Sequence, residues 1–210
     1  LALQEGATHL AVAVIDEAIA LRKAGIGVPI LVFGGFTPED APLFIDWELD
    51  ATVFDKQALA LLSHAAKKRN RPARVHVKVD TGMGRLGVEW REAIAFIQTL
   101  QNAEGLEVTG LYTHFATSDA LDKSFANLQL LRYKGLVDEL EGKGIRIPQI
   151  GRALVTNCDL PRRQAKGLSH HDGSVLHVSA GLGTSPYAPV RFACRPEATP
   201  EGRPYRDHVR

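Results

Sequence analysis

The sequence predicts an α/β protein built on a parallel sheet. Short apolar runs alternate with amphipathic segments, helix start and stop signals separate them, and 45% of the 210 residues are hydrophobic, which is enough for a core. Because a helix follows each strand, we expect right-handed crossovers between parallel strands. The pattern fits either an open doubly wound sheet or a closed (β/α)8 barrel.

Five strand and helix pairs follow one another along the chain. Apolar, β-prone runs predict strands at residues 9–14, 30–33, 51–54, 74–79 and 108–115. Apolar residues at helical spacing, together with capping signals, predict helices at residues 16–23, after 37, and at 56–67, 90–100 and 123–140. Gly25 is a typical left-handed residue at a helix end, and Thr37-Pro38 indicates an N-cap followed by proline at the first helical position.

Charge and cysteine content limit the class of partner. The 25 basic residues nearly balance the 24 acidic ones, so we expect a small-molecule substrate and neither nucleic acid nor a membrane as partner. Cys158 and Cys194 form no C-x-x-C pair, and the N-terminus has no signal-peptide pattern, so we expect a cytoplasmic location. The chain begins at Leu1 without a methionine, which we interpret as a fragment.

A glycine-rich turn follows the fourth predicted strand. Residues 82–87, GMGRLG, have the G-x-G-x-x-G spacing of dinucleotide-binding loops. Such loops bring bare backbone close to a pyrophosphate, whereas this turn is preceded by Lys78 and Asp80. They also need an acidic residue at the end of the next strand, whereas Glu104 and Glu107 precede that strand. Both features disfavour dinucleotide binding.

Side chains alternate across the strand before this turn. Its valines point to one face, and His76, Lys78 and Asp80 point to the other. In a barrel the polar face would line the interior near the carboxyl-terminal mouth, where barrel enzymes place their chemistry. A buried Lys78 near Arg85 would need Asp80, an anionic ligand or a chemical change to neutralise it. Alternatively, Lys78 extends from the mouth into water, Asp80 caps the turn and the glycines serve only geometry.

The ten residues KVDTGMGRLG at positions 78–87 resemble the signature of alanine racemases, pyridoxal-phosphate enzymes with an N-terminal (β/α)8 barrel. The similarity extends to residues 9–22, 30–34 and 110–116 and covers about residues 1–149. The resemblance implies an incomplete TIM-type (β/α)8 barrel of about five βα units in residues 1–149. Residues 150–210 would then form an unrelated tail, a short β-rich appendage.

The resemblance also implies roles for individual residues. Lys78 matches a lysine that is often carbamylated, which would convert a buried cation into an anion able to hold Arg85. Arg85 matches the arginine that contacts the substrate carboxylate and the phenolic oxygen of the cofactor. His114 matches a histidine that supports the arginine placed against the pyridine nitrogen, although its residue type alone favours an interior histidine bonded to a backbone carbonyl. The remaining site loop would comprise Asp80, Thr81, Gly82, Met83 and Gly84.

The implied activity is pyridoxal-phosphate-dependent interconversion of L- and D-alanine by a homodimer, which supplies D-alanine for peptidoglycan. No catalytic residue is assigned in this chain. The family's Schiff-base lysine ends the first barrel strand, which would precede Leu1, and its catalytic tyrosine comes from the partner subunit's C-terminal domain, which Tyr187 and Tyr205 do not match. We therefore expect an inactive fragment, or alternatively a non-catalytic remnant that binds anions or the cofactor.

Residues of about 160–199 resemble the C-terminal end of calcineurin-like metallophosphoesterases, mainly at 175–185 and 189–197. A metallophosphoesterase-derived fusion is therefore a third interpretation, although that family's metal-ligand motifs are missing from the sequence. His170-His171-Asp172 offers too few ligands, so we predict a solvated loop there and no metal. Residues 175–179 and 191–194 are predicted to be strands.

Overall fold

The computed structural model describes residues 3, 7–118, 120–150, 167–171 and 174–178. Seven strands of these ranges form one sheet: β1 (Leu10–Val12), β2 (Ile30–Val32), β3 (Asp50–Val53), β4 (Ala73–Asp80), β5 (Val88–Glu89), β6 (Leu106–Thr113) and β7 (Gln149–Ile150). Their order is β1-β2-β3-β4-β6-β7, and β5 pairs with β4. All of these pairings are parallel, which confirms the predicted α/β class.

Within the described residues, five helices connect the strands: α1 (Ile15–Lys23), α2 (Ala41–Asp46), α3 (Lys56–Arg69), α4 (Ala93–Gln101) and α5 (Ser124–Gly142). Gly25 has a φ of +81° just after α1, as its position in the sequence predicts. In the part of the chain that the structure describes, no helix is both long and apolar enough to cross a membrane.

The two faces of the sheet are buried in different ways. Alternate strand residues such as Val12, Val32 and Val77 lie in the main core with apolar residues of the helices. The opposite face carries a small apolar cluster of Ala11, Leu31 and Tyr112 with Phe33 beside it. Buried polar residues share this second face, and they include Asp50, Thr52, His76 and Lys78. The alternation predicted for β4 is therefore confirmed.

Two helices, α2 and α4, begin several residues later than the sequence predicts. The prediction of Pro38 at a first helical position is wrong, because the Asp40 carboxylate accepts hydrogen bonds from the backbone N–H and the hydroxyl of Thr37 and closes a turn. The helix predicted from residue 90 begins at Ala93. Residues before it pair with β4 as β5, and the Glu89 carboxylate accepts the backbone N–H of Arg91.

The N-cap of α3 offers a test of local stability. Asp55 accepts the backbone N–H of Ala58 at 2.7 Å, whereas Glu92, at the start of α4, makes no side-chain cap bond. We expect Asp55→Ala to lower the free energy of unfolding by about 1 kcal/mol, because an orphan helix donor loses its acceptor. Urea unfolding measures the effect, and Glu92→Ala is the matched control. Equal losses in both variants would contradict a capping role for Asp55.

A separate antiparallel hairpin lies in the C-terminal region, with strands β8 (Gly167–His171) and β9 (Ser174–Val178). The strand predicted at 175–179 is confirmed over β9. The loop predicted at His170 and His171 is wrong, because both residues belong to β8 and pair with residues of β9. The strand predicted at 191–194, Tyr187 and Tyr205 lie outside the described residues.

Candidate functional site

Lys78 lies inside the molecule on the inward face of β4. Only 4% of its surface is exposed, so the alternative in which it extends into water is wrong. Its Nζ lies 5.7 Å from the ring centroid of Tyr112, its neighbour across the β4–β6 pairing. The Tyr112 hydroxyl lies 3.0 Å from Thr52 Oγ1, which itself donates to the Val32 carbonyl. Tyr112 therefore donates to Thr52, and its ring is fixed beside Lys78.

The charges around Lys78 do not favour its protonated form. Burial lowers the pKa of Lys78 below its ordinary value, the positive charge of Arg85 lowers it further, and Asp80 opposes both effects. Arg85 itself is exposed on the turn after β4. Burial also raises the pKa of the Tyr112 hydroxyl, which keeps it protonated. The buried amine of Lys78 and the guanidinium of Arg85 thus lie near each other, and an anion bound between them would stabilise their positive charges.

Asp80 organises the turn rather than pairing closely with Lys78. Its Oδ1 accepts the backbone N–H of Gly82 at 2.8 Å, and its Oδ2 accepts that of Gly84 at 2.9 Å. Burial alone would raise the pKa of Asp80, but the backbone N–H groups of the turn lower it below the ordinary value. The predicted capping role of Asp80 is therefore confirmed.

The glycines of the turn are required by its backbone. Gly82 and Gly87 both have a φ of +139°, and a Cβ on Gly87 would lie 2.6 Å from the backbone nitrogen of Asp80. The turn leads into β5, not into a helix whose N-terminal amides could hold a pyrophosphate. The G-x-G-x-x-G spacing therefore reflects turn geometry, as the charged residues before it indicate.

The other predicted site residues lie around this turn. Thr81 is fully buried, with its Oγ1 2.8 Å from Thr113 Oγ1. Met83 and His114 are half-buried, and His114 directly follows β6. The structure thus places Lys78, Thr81 and His114 at the carboxyl ends of neighbouring strands, the end at which α/β proteins bind ligands.

Sequence reasoning missed the residues of α5 that donate hydrogen bonds to this region. Gln129 Nε2 donates to Thr81 Oγ1 and to the His114 carbonyl, and Arg132 Nη1 donates to the Thr81 carbonyl at 2.7 Å. Gln129 shares the buried stripe of α5 with Tyr133, Leu136 and Leu140. A polar residue on an otherwise apolar stripe was the signal available in the sequence.

His76 belongs to a second polar cluster, toward the amino end of the strands. His76 Nε2 lies 3.2 Å from Asp50 Oδ2, and Arg74 Nη2 donates to the same oxygen at 3.3 Å. Arg74 Nε lies 3.1 Å from Asp50 Oδ1 as an ion pair without hydrogen-bond alignment. Gly110 leaves room for the His76 ring, which a Cβ there would overlap. Within the described ranges, no group of three His, Cys, Asp or Glu residues could hold a metal.

A family model described as "Alanine racemase, N-terminal domain" matches residues 1–153. The alanine racemase of Desulfovibrio desulfuricans is 40% identical over 181 residues, which is 86% of this chain and 46% of that protein. The alanine racemase of Desulforamulus reducens is 42% identical over 145 residues, covering 69% of this chain and 39% of that protein. The chain spans less than half the length of these relatives.

Solved structures show the same similarity. The chain matches the alanine racemase of Clostridium difficile 630 in complex with cycloserine with a TM-score of 0.68 and 34% identity, over 70% of this chain and 41% of that one. It matches the alanine racemase of Bacillus anthracis with bound L-Ala-P with a TM-score of 0.62 and 36% identity, over 70% and 38% of the two chains. The incomplete barrel expected from the resemblance is therefore confirmed.

Proposed function

Because the chain belongs to the alanine racemase N-terminal domain family, we propose that it forms one part of an alanine racemase-like site. That site would interconvert L- and D-alanine and supply D-alanine for peptidoglycan. The observation that carries the proposal is the Lys78 amine, buried at the carboxyl end of β4 and close enough to Arg85 for the two charges to repel. The implied homodimer and cytoplasmic location belong to the same proposal.

The residues present fit part of a pyridoxal-phosphate site. The cofactor carries anionic oxygens, and the guanidinium of Arg85, beside the buried Lys78, provides positive charge for them. When bound, the cofactor supplies an electron sink for the negative charge that develops on the substrate Cα. Arg85 would bind the substrate carboxylate and the phenolic oxygen, since its planar guanidinium can donate two hydrogen bonds at once. His114 would support the cofactor from the end of β6.

Lys78 is proposed to carry a carbamate. Because burial and Arg85 lower its pKa, more of the amine is neutral and nucleophilic. Its nitrogen would attack the carbon of CO2, form an N–C bond and release one proton to water. The product is an anion that would pair with Arg85 and remove the repulsion between the two cations. This role would also explain why a lysine lies on the interior face of β4.

We propose that the 210-residue chain alone binds the cofactor without racemising alanine, since we assign none of its residues to the role of the family's attachment lysine or catalytic tyrosine. Titration with pyridoxal phosphate, followed by absorbance, measures binding, and loss of optical rotation of L-alanine measures activity. Racemisation by the wild-type chain would contradict the inactive interpretation. Binding without racemisation agrees equally with the non-catalytic remnant as a description of this chain.

We expect Arg85→Gln to weaken pyridoxal-phosphate binding about tenfold, because a charge-assisted contact to an anionic oxygen is lost. Arg71→Gln is the matched control, since Arg71 forms an exposed ion pair with Glu48 outside the site. Unchanged binding in Arg85→Gln, or an equal loss in Arg71→Gln, would contradict the assignment of Arg85.

Two separate proposals concern the C-terminal region. The chain divides between residues 149 and 150, and the tail has a phosphoesterase-like origin. The hairpin of β8 and β9 lies within the segment concerned, and its two β-strands agree with a β-rich appendage. Hydrolysis of p-nitrophenyl phosphate in the presence and absence of Mn²⁺ tests whether phosphatase activity persists. Metal-dependent hydrolysis would favour the fusion interpretation over a racemase-derived function.

A further inference from the structure

One face of α5 lies directly against the glycine turn. Phe125, Gln129 and Arg132 are spaced four and three residues apart, so they share a helix face. A Cβ on Gly82 would lie 2.9 Å from Arg132 Nη1, 3.0 Å from Phe125 Cζ and 3.6 Å from Gln129 Cγ. These three side chains, here named the loop platform, therefore occupy the space into which any larger residue at position 82 would project.

Gln129 joins the turn after β4 to the segment after β6. Its side chain is fully buried and its Nε2 donates to Thr81 Oγ1 at 3.2 Å and to the His114 carbonyl at 3.1 Å. Its Oε1 accepts the backbone N–H of Ala116 at 2.9 Å. Both ends of the amide are thus used, and the amide holds two candidate site segments in one geometry.

Arg132 contacts both ends of the same turn. Its Nη1 donates to the carbonyl of Thr81, where the turn begins, at 2.7 Å. Its guanidinium lies 5.5 Å from the ring centroid of Trp90, where the turn ends, and the Trp90 backbone N–H donates to the Asp80 carbonyl. Arg85 lies between these two anchored ends on an exposed stretch.

We propose that the loop platform holds the glycine turn in place and thereby fixes the position of Arg85 relative to Lys78. Arg85 is exposed, whereas Thr81 and Trp90 on either side are held by α5. Releasing either anchor would let the turn move away from β4 and carry the guanidinium with it. The consequence for cofactor binding rests on the proposed function, but the positioning itself does not.

The test is the pH dependence of Lys78 acetylation by acetic anhydride, measured by mass spectrometry of the 210-residue chain in CO2-free buffer, in which Lys78 carries no carbamate. Because Arg85 lowers the pKa of Lys78, a displaced turn should move the midpoint of this profile to higher pH. Greater hydration of Lys78 would also raise the midpoint, because burial lowers its pKa, and the double variant described next separates that effect from displacement of Arg85. We expect an upward shift in Gln129→Met and in Thr113→Val, which removes the hydroxyl partner of Thr81 without changing charge.

Arg85→Gln provides the coupling test. It should raise the midpoint by itself, and Gln129→Met should add no further shift in the Arg85→Gln background if Gln129 acts through Arg85. Gln98→Met, at an exposed position on α4, is the matched control and should leave the midpoint unchanged. Full additivity, or wild-type midpoints in Gln129→Met and Thr113→Val, would overturn the proposal.

Two further measurements separate the possible failures. Urea unfolding checks that each variant is folded. If Gln129→Met does not fold, Thr113→Val is compared in the wild-type and Arg85→Gln backgrounds instead. Pyridoxal-phosphate binding should weaken about fivefold in folded Gln129→Met and Thr113→Val, in line with coupling energies between residues of one hydrogen-bond network. If the wild-type chain does not bind the cofactor, the proposed function fails, while the acetylation profile still decides whether the platform positions Arg85.

Discussion

Replacement of Gly87 by alanine should lower the free energy of unfolding by about 3 kcal/mol and abolish ordered packing of the glycine turn. A Cβ at this position would lie 2.6 Å from the nitrogen of Asp80 and 2.9 Å from the carbonyl carbon of Val79. Both atoms belong to the backbone of β4, which is paired on either side and cannot move aside. The φ of +139° adds strain, because L-residues rarely adopt it.

Gly84→Ala is the matched control for this prediction. Gly84 also has a positive φ, of +70°, but a Cβ there would meet nothing within 4 Å. We expect a loss of about 1 kcal/mol, which reflects only the left-handed conformation. Urea unfolding compares the two variants, and hydrogen exchange of the amides of residues 81–87 reports on the turn. Equal losses would show that the conformation, and not the clash with β4, makes Gly87 necessary.

The strand before the turn illustrates what could be predicted from the sequence. Alternation in β4 depends only on the period of a strand, so the separation of the valines from Lys78 followed from residue types, whereas the burial of Lys78 was one of two alternatives that they left open. The capping role of Asp80 is equally local, because its partners lie two and four residues away. Interactions between residues close in sequence therefore predicted the polar face of β4 and the capped turn correctly.

Contacts that depend on tertiary packing could not be predicted in this way. Arg132 and Thr81 are separated by 51 positions, and no local signal selects that pairing. The late starts of α2 and α4 have a similar origin, since competing turns and the pairing of β5 with β4 override helical periodicity. The barrel itself followed from the resemblance, because the repeated βα pattern alone also allowed an open sheet.

Two polar clusters lie on the inward face, and we expect the two ends of β4 to have different roles. Lys78 lies near its carboxyl end beside a turn of glycines and exposed residues, whereas Arg74 and His76 lie nearer its amino end around Asp50. In barrels the carboxyl-terminal face carries chemistry and the amino-terminal face carries stability. Substitutions in the cluster around Lys78 should therefore weaken ligand binding, and substitutions in the cluster around Asp50 should lower the free energy of unfolding.

Asp50→Asn should accordingly lower the free energy of unfolding by about 2–3 kcal/mol, because it removes the negative partner of a largely buried cluster. Asp50 is 1% exposed, and the Arg74 side chain is 35% exposed, so water can solvate part of the remaining positive charge. The pKa of His9 should fall as well: burial already lowers it, and Asp50 is the group that raises it. Urea unfolding and an NMR titration of His9 measure the two effects.

The matched control is Glu104→Gln, which breaks an exposed ion pair with Lys67 in which both side chains are more than half exposed. We expect this change to leave the free energy of unfolding close to that of the wild-type chain, because solvent screens such pairs. Under the proposed function, pyridoxal-phosphate binding should stay at the wild-type value in folded Asp50→Asn, since Lys78 and Arg85 are unchanged. If binding fell as much as in Arg85→Gln while stability did not change, the amino-terminal cluster would belong to the site, and the proposed division along β4 would be wrong.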